Sequence, residues 1–183
     1  MEATIFETLK RIRDKHGPGE FGKIAQKLLG IALCRLCFEV KERSVQDVDI
    51  EAVKDGLKYW LEVKTTDKDE VIIGEKDVSG LNQCELLHGG ETGYAILKVS
   101  LLSDWIIASS RNIKLGAVRV GRFSASRILP LQNDINKTFP SIVKEFGNQI
   151  LSTTKDRAQS VADRLLKMEI EKKKRSTCND RSI

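Results

Sequence analysis

At 183 residues with 40% hydrophobic content, the chain is long enough for one well-packed domain with an appendage. A formal net charge of +5 is the sign expected of a protein with a polyanionic partner. No apolar run approaches the roughly 20 residues of a membrane span, and four cysteines with only two histidines fit neither a disulfide framework nor a zinc site, so a cytoplasmic location is expected.

In chain order, Ile5, Leu9 and Ile12 give the N-terminal segment an amphipathic helical pattern, and its early acidic residues are unlike a signal peptide. Gly17-Pro18-Gly19 then breaks the chain. A second helix follows, with Phe21, Ile24, Ala25, Leu28, Leu29 and Ala32 at helical spacing and Glu20 at its start. An acid there suits the helix dipole, so Glu20 reads equally as a first-turn residue and as a functional carboxylate. Cys34 and Cys37 are expected to pack as small apolar residues where this helix gives way to a strand.

Residues 45–66 carry the chemistry. Val48, Ile50 and Ala52 alternate with Asp47, Asp49 and Glu51, the pattern of a half-buried strand. Asp55-Gly56 is a strong hairpin signal. On the returning strand Tyr59, Leu61 and Val63 share one face and Trp60, Glu62 and Lys64 the other. Glu62 and Lys64 are then neighbours roughly 6.5–7 Å apart, and the acidic face of the first strand brings Asp49 beside them. Such a cluster suits Mg²⁺, which takes one or two carboxylates and keeps several waters. Asp49 and Glu62 would supply the carboxylates and the Val63 carbonyl a third ligand, while Lys64 would orient a water or stabilise transition-state charge. The competing expectation is a solvated sheet face, which Asp47 and Glu51 resemble.

After Thr65-Thr66, which could donate to phosphate, a charged loop leads into the apolar run Val71-Ile72-Ile73. Val78, Leu81, Cys84 and Leu86/Leu87 predict a helix ending at His88-Gly89-Gly90. The stretches 93–99 and 103–109 read as buried strands, completing an α/β core. Residues 111–131 interleave Arg111, Lys114, Arg119, Arg122 and Arg127 with apolar residues, and Val118 and Val120 suggest a strand with one basic face. Beyond Pro130 the pattern is helical to about 175, with a break near Ser152-Thr153-Thr154. The expected division is a core over 1–130, a helical extension over 131–175 and a disordered tail over 176–183. The extension reads as a DNA-gripping or dimer-forming appendage, and the run Lys172–Arg175 equally as a solvated helix end.

Glu20 on a helix, Asp49 on a strand and Glu62-Val63-Lys64 on the next resemble the PD-(D/E)XK nuclease superfamily, and within it archaeal Holliday junction resolvases and related restriction-endonuclease-like proteins. The resemblance covers roughly residues 18–110. It departs from the family pattern at Val48, where a proline usually precedes the aspartate, and Asp47 is a competing candidate for that aspartate. The resemblance implies an α/β restriction-endonuclease-like core with a central mixed β-sheet flanked by helices, plus C-terminal helices. It implies an active site of Glu20, Asp49, Glu62 and Lys64, with Asp49, Glu62, Val63 and Glu20 holding Mg²⁺ (or Mn²⁺ in its place). The expected function is a DNA endonuclease acting as a homodimer, structure-selective like a Holliday junction resolvase. A type II restriction-type enzyme on duplex DNA, or a non-catalytic nucleic-acid-binding module, are the alternatives.

Overall fold

The computed structural model describes residues 4–42, 48–100 and 103–179, with side chains through 175. The Asp55-Gly56 signal produces the hairpin expected of it. Strands β2 (Ile50–Lys54) and β3 (Leu57–Thr66) pair antiparallel from Ile50↔Leu61 to Lys54↔Leu57. Asp55 and Gly56 both take positive φ, 49° and 80°, as a two-residue turn between twisted strands requires. Strand β1 (Glu39–Glu42) pairs antiparallel outside β2.

On the other side of β3, strand β5 (Glu91–Lys98) runs parallel to it, from Tyr59↔Glu91 to Thr66↔Lys98. Parallel neighbours need a long crossover. It is made by strand β4 (Glu70–Ile73) and helix α3 (Glu75–His88). Strand β6 (Trp105–Ser109) closes the far edge antiparallel to β5, giving a mixed sheet in the order β1-β2-β3-β5-β6. Gly93 is required at that join, because a Cβ there would lie 2.6 Å from the Ala108 carbonyl oxygen. Strand β4 pairs antiparallel with β7 (Gly116–Arg119) in a separate two-stranded ribbon.

Period-two alternation sorts the sheet's side chains onto two cores. Ile50, Ala52, Tyr59, Leu61, Ala95, Leu97, Trp105 and Ile107 point to the larger one. Four helices cover that face: α1 (Ile5–His16), α2 (Pro18–Arg35), α5 (Leu129–Ser152) and α6 (Ala158–Asn179). Helix α5 contributes Leu131, Ile135, Phe139, Ile142, Val143, Phe146 and Ile150, a stripe at helical spacing. Helix α6 packs Ala158, Ala162, Leu165 and Leu166, the last against Gly30 of α2. Trp60, Tyr94, Ile96 and Ala108 point to the smaller core, under Leu81 and Cys84 of α3 and Val71, Ile73 and Val118 of the ribbon. Between β7 and α5 the chain makes one helical turn, α4 (Val120–Phe123), followed by a 3-10 turn at Ser124–Ser126.

Several local expectations are corrected. Glu51 is buried rather than solvated, at 4% exposure, because its register opposite Trp60 turns it onto the smaller core. Asp49 stands in a bend just before β2 rather than within the strand, and the chain's change of course there sends Val48 into the smaller core while Ile50 and Ala52 enter the larger. Cys34 is buried as expected, but Cys37 is exposed, at φ 68° in the reversal between α2 and β1. Strand β7 ends at Arg119, so Val120 opens α4 instead of continuing the basic-faced strand. Helix α6 runs to Asn179, past the expected start of a disordered tail, and residues 180–183 lie outside the described residues, as does Asp47.

Candidate active site

The site forms where β2 ends and β3 continues. The β2–β3 ladder stops at Ile50↔Leu61, so among the described residues β3 runs on with no strand beside it on that edge. The Val63 N–H that would have entered the ladder instead donates to Asp49 Oδ2 at 2.8 Å. A strand residue's N–H and C=O leave the same edge, so the Val63 carbonyl faces the space beside the Asp49 carboxylate. Asp49 is tethered a second time through its backbone, since Gln26 of α2 donates to its carbonyl oxygen at 3.2 Å.

Glu62 and Lys64 emerge on the smaller-core face of β3, and Lys64 Nζ lies 3.1 Å from Glu62 Oε1. The structure adds a residue that the sequence reading did not single out. Asp77, in the first turn of α3, places Oδ2 2.7 Å from Lys64 Nζ. The same oxygen accepts from the Gly74 N–H at 2.8 Å, which ties the start of the helix to the site. Its sequence signal was the Gly74-to-Asp77 spacing ahead of an apolar run, the mark of an acid in a helix's first turn. Tyr94 of β5 stands opposite Glu62 in the parallel ladder and is buried.

The electrostatics follow from the burial. Glu62 is pushed up to about 8, first by burial and then by the nearby Asp49 charge. Asp49 is also raised, by burial, against the opposing pull of the Val63 N–H and Lys64. Burial works to lower Lys64, but hydrogen bonding and charge from Asp77 and Glu62 hold it above its ordinary value. Burial works to raise Asp77, and Lys64 and the Gly74 N–H outweigh it, leaving Asp77 lowered. When protonated, Glu62 shares a hydrogen bond with Asp77. Two half-buried carboxylates raised in this way favour a cation between them.

Glu20 stands in the first turn of α2 as expected, but its partner is Lys23, at 3.1 Å, and no hydrogen bond or ion pair joins it to Asp49, Glu62 or Lys64. Among the described residues no group of three His, Cys, Asp or Glu side chains converges as a metal cage. The oxygen donors that could hold a metal here are the Asp49 and Glu62 carboxylates and the Val63 carbonyl, a sparse set of the kind Mg²⁺ takes with its retained waters. Beside Lys64 a concavity of ≈ 400 Å³ opens between Arg13, Thr65, Thr66, Lys68 and Ile72. Thr66 Oγ1 is engaged in the loop there, donating to the Glu70 carbonyl at 2.9 Å and accepting from the Lys68 N–H at 3.0 Å.

No protein-family model matches the chain, and no curated protein matches it. Among solved structures it is similar to Archaeoglobus fulgidus Hjc, described as a Holliday junction resolvase from an archaeal hyperthermophile. The TM-score is 0.50 at 15% identity, over 61% of this chain and 98% of that one. This likeness, together with the five-stranded mixed sheet flanked by helices, defines a restriction-endonuclease-like α/β fold. Among the described residues no helix is long and apolar enough to cross a membrane.

Proposed function

We propose that this protein is a Mg²⁺-dependent DNA endonuclease, acting in the cytoplasm as a homodimer and selective for branched DNA such as a four-way junction. The observation that carries this reading is the meeting of Asp49, Glu62 and Lys64 at the open end of β3, with Asp49 held by the Val63 N–H at 2.8 Å. The likeness to a resolvase supports the DNA substrate, and the sequence resemblance supports the roles. Residues 1–130 would form the nuclease core and 131–175 its C-terminal helical extension.

In this reading Asp49, Glu62 and the Val63 carbonyl would hold the metal, with Mn²⁺ able to replace Mg²⁺, and Glu20 would bind it directly or through water. When bound, the metal lowers the pKa of a coordinated water and offsets charge on the phosphate. The protein's own groups do the rest. Burial of Glu62 and Asp49 raises the energy of their unpaired anionic forms, so binding of a cation would relieve that cost and be coupled to loss of the proton that Glu62 otherwise holds. Lys64 remains an ammonium and donates to the attacking water or to a non-bridging phosphate oxygen, where charge builds in the transition state. Asp77 keeps that ammonium from swinging away. Attack by water at phosphorus breaks the bond to the 3′ oxygen, leaving a 5′-phosphate and a 3′-hydroxyl.

The test is cleavage of a labelled mobile four-way junction and of long genomic duplex, by wild type and Lys64→Ala, with Mg²⁺ or EDTA. Symmetric nicking of the junction, lost in the variant and in EDTA, is the expected result. Discrete duplex fragments with the same losses would assign a restriction-type enzyme. Binding without cutting under all conditions would assign a non-catalytic DNA-binding module.

A further inference from the structure

We propose that the β4–β7 ribbon is a second DNA contact, a surface that holds the backbone of a duplex arm leading into the site at Lys64. This inference rests on the DNA reading above and adds to it where the flanking duplex lies.

The ribbon's two faces differ. Val71, Ile73 and Val118 are buried in the smaller core, while Ile72 is 64% exposed and Ala117 and Arg119 face outward beside it. Along this outer side Lys114, Arg119 and Arg122 surround a concavity of ≈ 440 Å³. Among the described residues none of these three has an ion-pair partner. That sets them apart from neighbouring cations, since Arg111 pairs with Glu85 and Lys98 with Asp69. Arg119 even sits directly across the ribbon from Glu70 without an ion pair forming. Three exposed, unneutralised cations around one hollow complement a row of phosphates.

The ribbon is also continuous with the candidate active site. Ile72 lines the hollow that opens at Lys64, and its partner across the ribbon, Ala117, lines the basic one. Paired strands lie roughly 4.8 Å apart, so the two hollows are separated by little more than the ribbon's width. B-form duplex carries a charge every ~1.7 Å along its axis, so one arm can touch both hollows at once. An acidic protein would satisfy the same cations but would have no cause to extend toward Lys64. Contacts of this kind position the duplex and carry no sequence information.

The experiment measures the affinity of the full-length protein for a labelled duplex and a labelled four-way junction across a salt series in EDTA. Cleavage in Mg²⁺ is followed in parallel. Wild type is compared with Lys114→Ala/Arg119→Ala/Arg122→Ala and with Lys64→Ala. Each lost phosphate contact removes about 0.9 from the log–log salt slope, so the triple variant is expected to fall by about 2.7 and to bind at least about 10-fold more weakly at moderate salt. Lys64→Ala is expected to lose cleavage while changing the slope by no more than about one contact. Lys114, Arg119 and Arg122 are all exposed on the surface. If circular dichroism nonetheless shows the triple variant unfolded, the three single Gln variants replace it, each expected to lower the slope by about 0.9. An unchanged slope and affinity, with wild type still cutting, would overturn the ribbon contact and leave the nuclease reading standing. A wild type that neither binds nor cuts would end both.

Discussion

Lys64 Nζ lies 2.7 Å from Asp77 Oδ2, nearer than its 3.1 Å to Glu62 Oε1. The ammonium is therefore shared between a strand neighbour and the first turn of α3, and the crossover that makes β3 and β5 parallel also delivers the group that fixes Lys64. Asp77→Asn separates charge from structure, because the amide oxygen still accepts from the Gly74 N–H. The expected outcome is a melting temperature within a few degrees of wild type and a cleavage rate constant lower by about 10- to 100-fold, the usual loss for a group that orients a site residue. Single-turnover kinetics on saturating junction would show it in the rate constant rather than in the substrate dependence. Lys64→Ala should cost more, roughly 10²–10³. Equal rates for Asp77→Asn and wild type would remove Asp77 from the mechanism.

Glu62 exposes a cost of the metal-free site. With its pKa pushed up to about 8, above the ordinary 4.5, the folded state holds a proton that the unfolded chain releases. Between those values the native state binds more protons, so stability falls as pH rises toward 8. The lowered Asp77 acts in the opposite sense, losing stability as pH falls through its own depressed range, which does not overlap this window. Without metal, Glu62→Gln should therefore raise stability at pH 8 by about 1–2 kcal/mol, roughly 2–8 °C in a chain of this size. It should also flatten the decline between pH 5 and 8. Mg²⁺ should raise the melting temperature of wild type and leave the variant nearly unmoved. A variant that melts below wild type at pH 8 would contradict the cost assigned to the half-buried Glu62 charge.

The helices beyond residue 130 contribute directly to the main core. Leu131, Ile135, Phe139 and Ile142 of α5 and Leu166 of α6 are buried with Phe21, Ile24 and Leu28 of α2. Lys27 binds them further, pairing with Asp163 of α6 at 2.7 Å and with Glu42 of β1. Truncation after residue 130 should give a chain without a cooperative thermal transition, because the apolar face of α2 would be left in water. Lys27→Ala in the full chain leaves two carboxylates facing each other without their cation and should cost about 3 kcal/mol in urea unfolding. A truncated protein that melts sharply and binds DNA would instead establish residues 1–130 as an autonomous unit.

Much of this was legible in the chain because local physics dictated it. Asp55-Gly56 fixes the hairpin turn, and period-two alternation then forces Glu62 and Lys64 to one face. The stripes of α1, α2 and α5 are long enough for helical spacing to be plain. What was not legible depends on tertiary pairing. Strand β1 reads Glu-Val-Lys-Glu, with one apolar residue and no alternation, and exists because the edge of β2 is free to receive it. Glu51 resembles a surface acid until its register with Trp60 is known. Asp77 carries the local signature of a helix start, and only the crossover brings it to Lys64. The ribbon joins residues 70–73 to 116–119, a pairing across more than forty residues that no local pattern announces.

Glu20 supplies the sharpest contrast within the candidate site. The resemblance assigns it to the metal, yet its carboxylate pairs with Lys23 at 3.1 Å and makes no hydrogen bond or ion pair with the other three residues. Its contribution is expected through water, so Glu20→Gln should lower cleavage by about 10- to 100-fold, well short of the loss in Glu62→Gln, whose carboxylate would be a direct ligand. Thermal shift in a Mg²⁺ titration separates the two cases. A water-mediated Glu20 leaves most of the wild-type stabilisation by metal in place, because the direct donors remain. Loss of that stabilisation in Glu20→Gln, equal to its loss in Glu62→Gln, would mean that Lys23 releases Glu20 and that its carboxylate enters the coordination sphere itself.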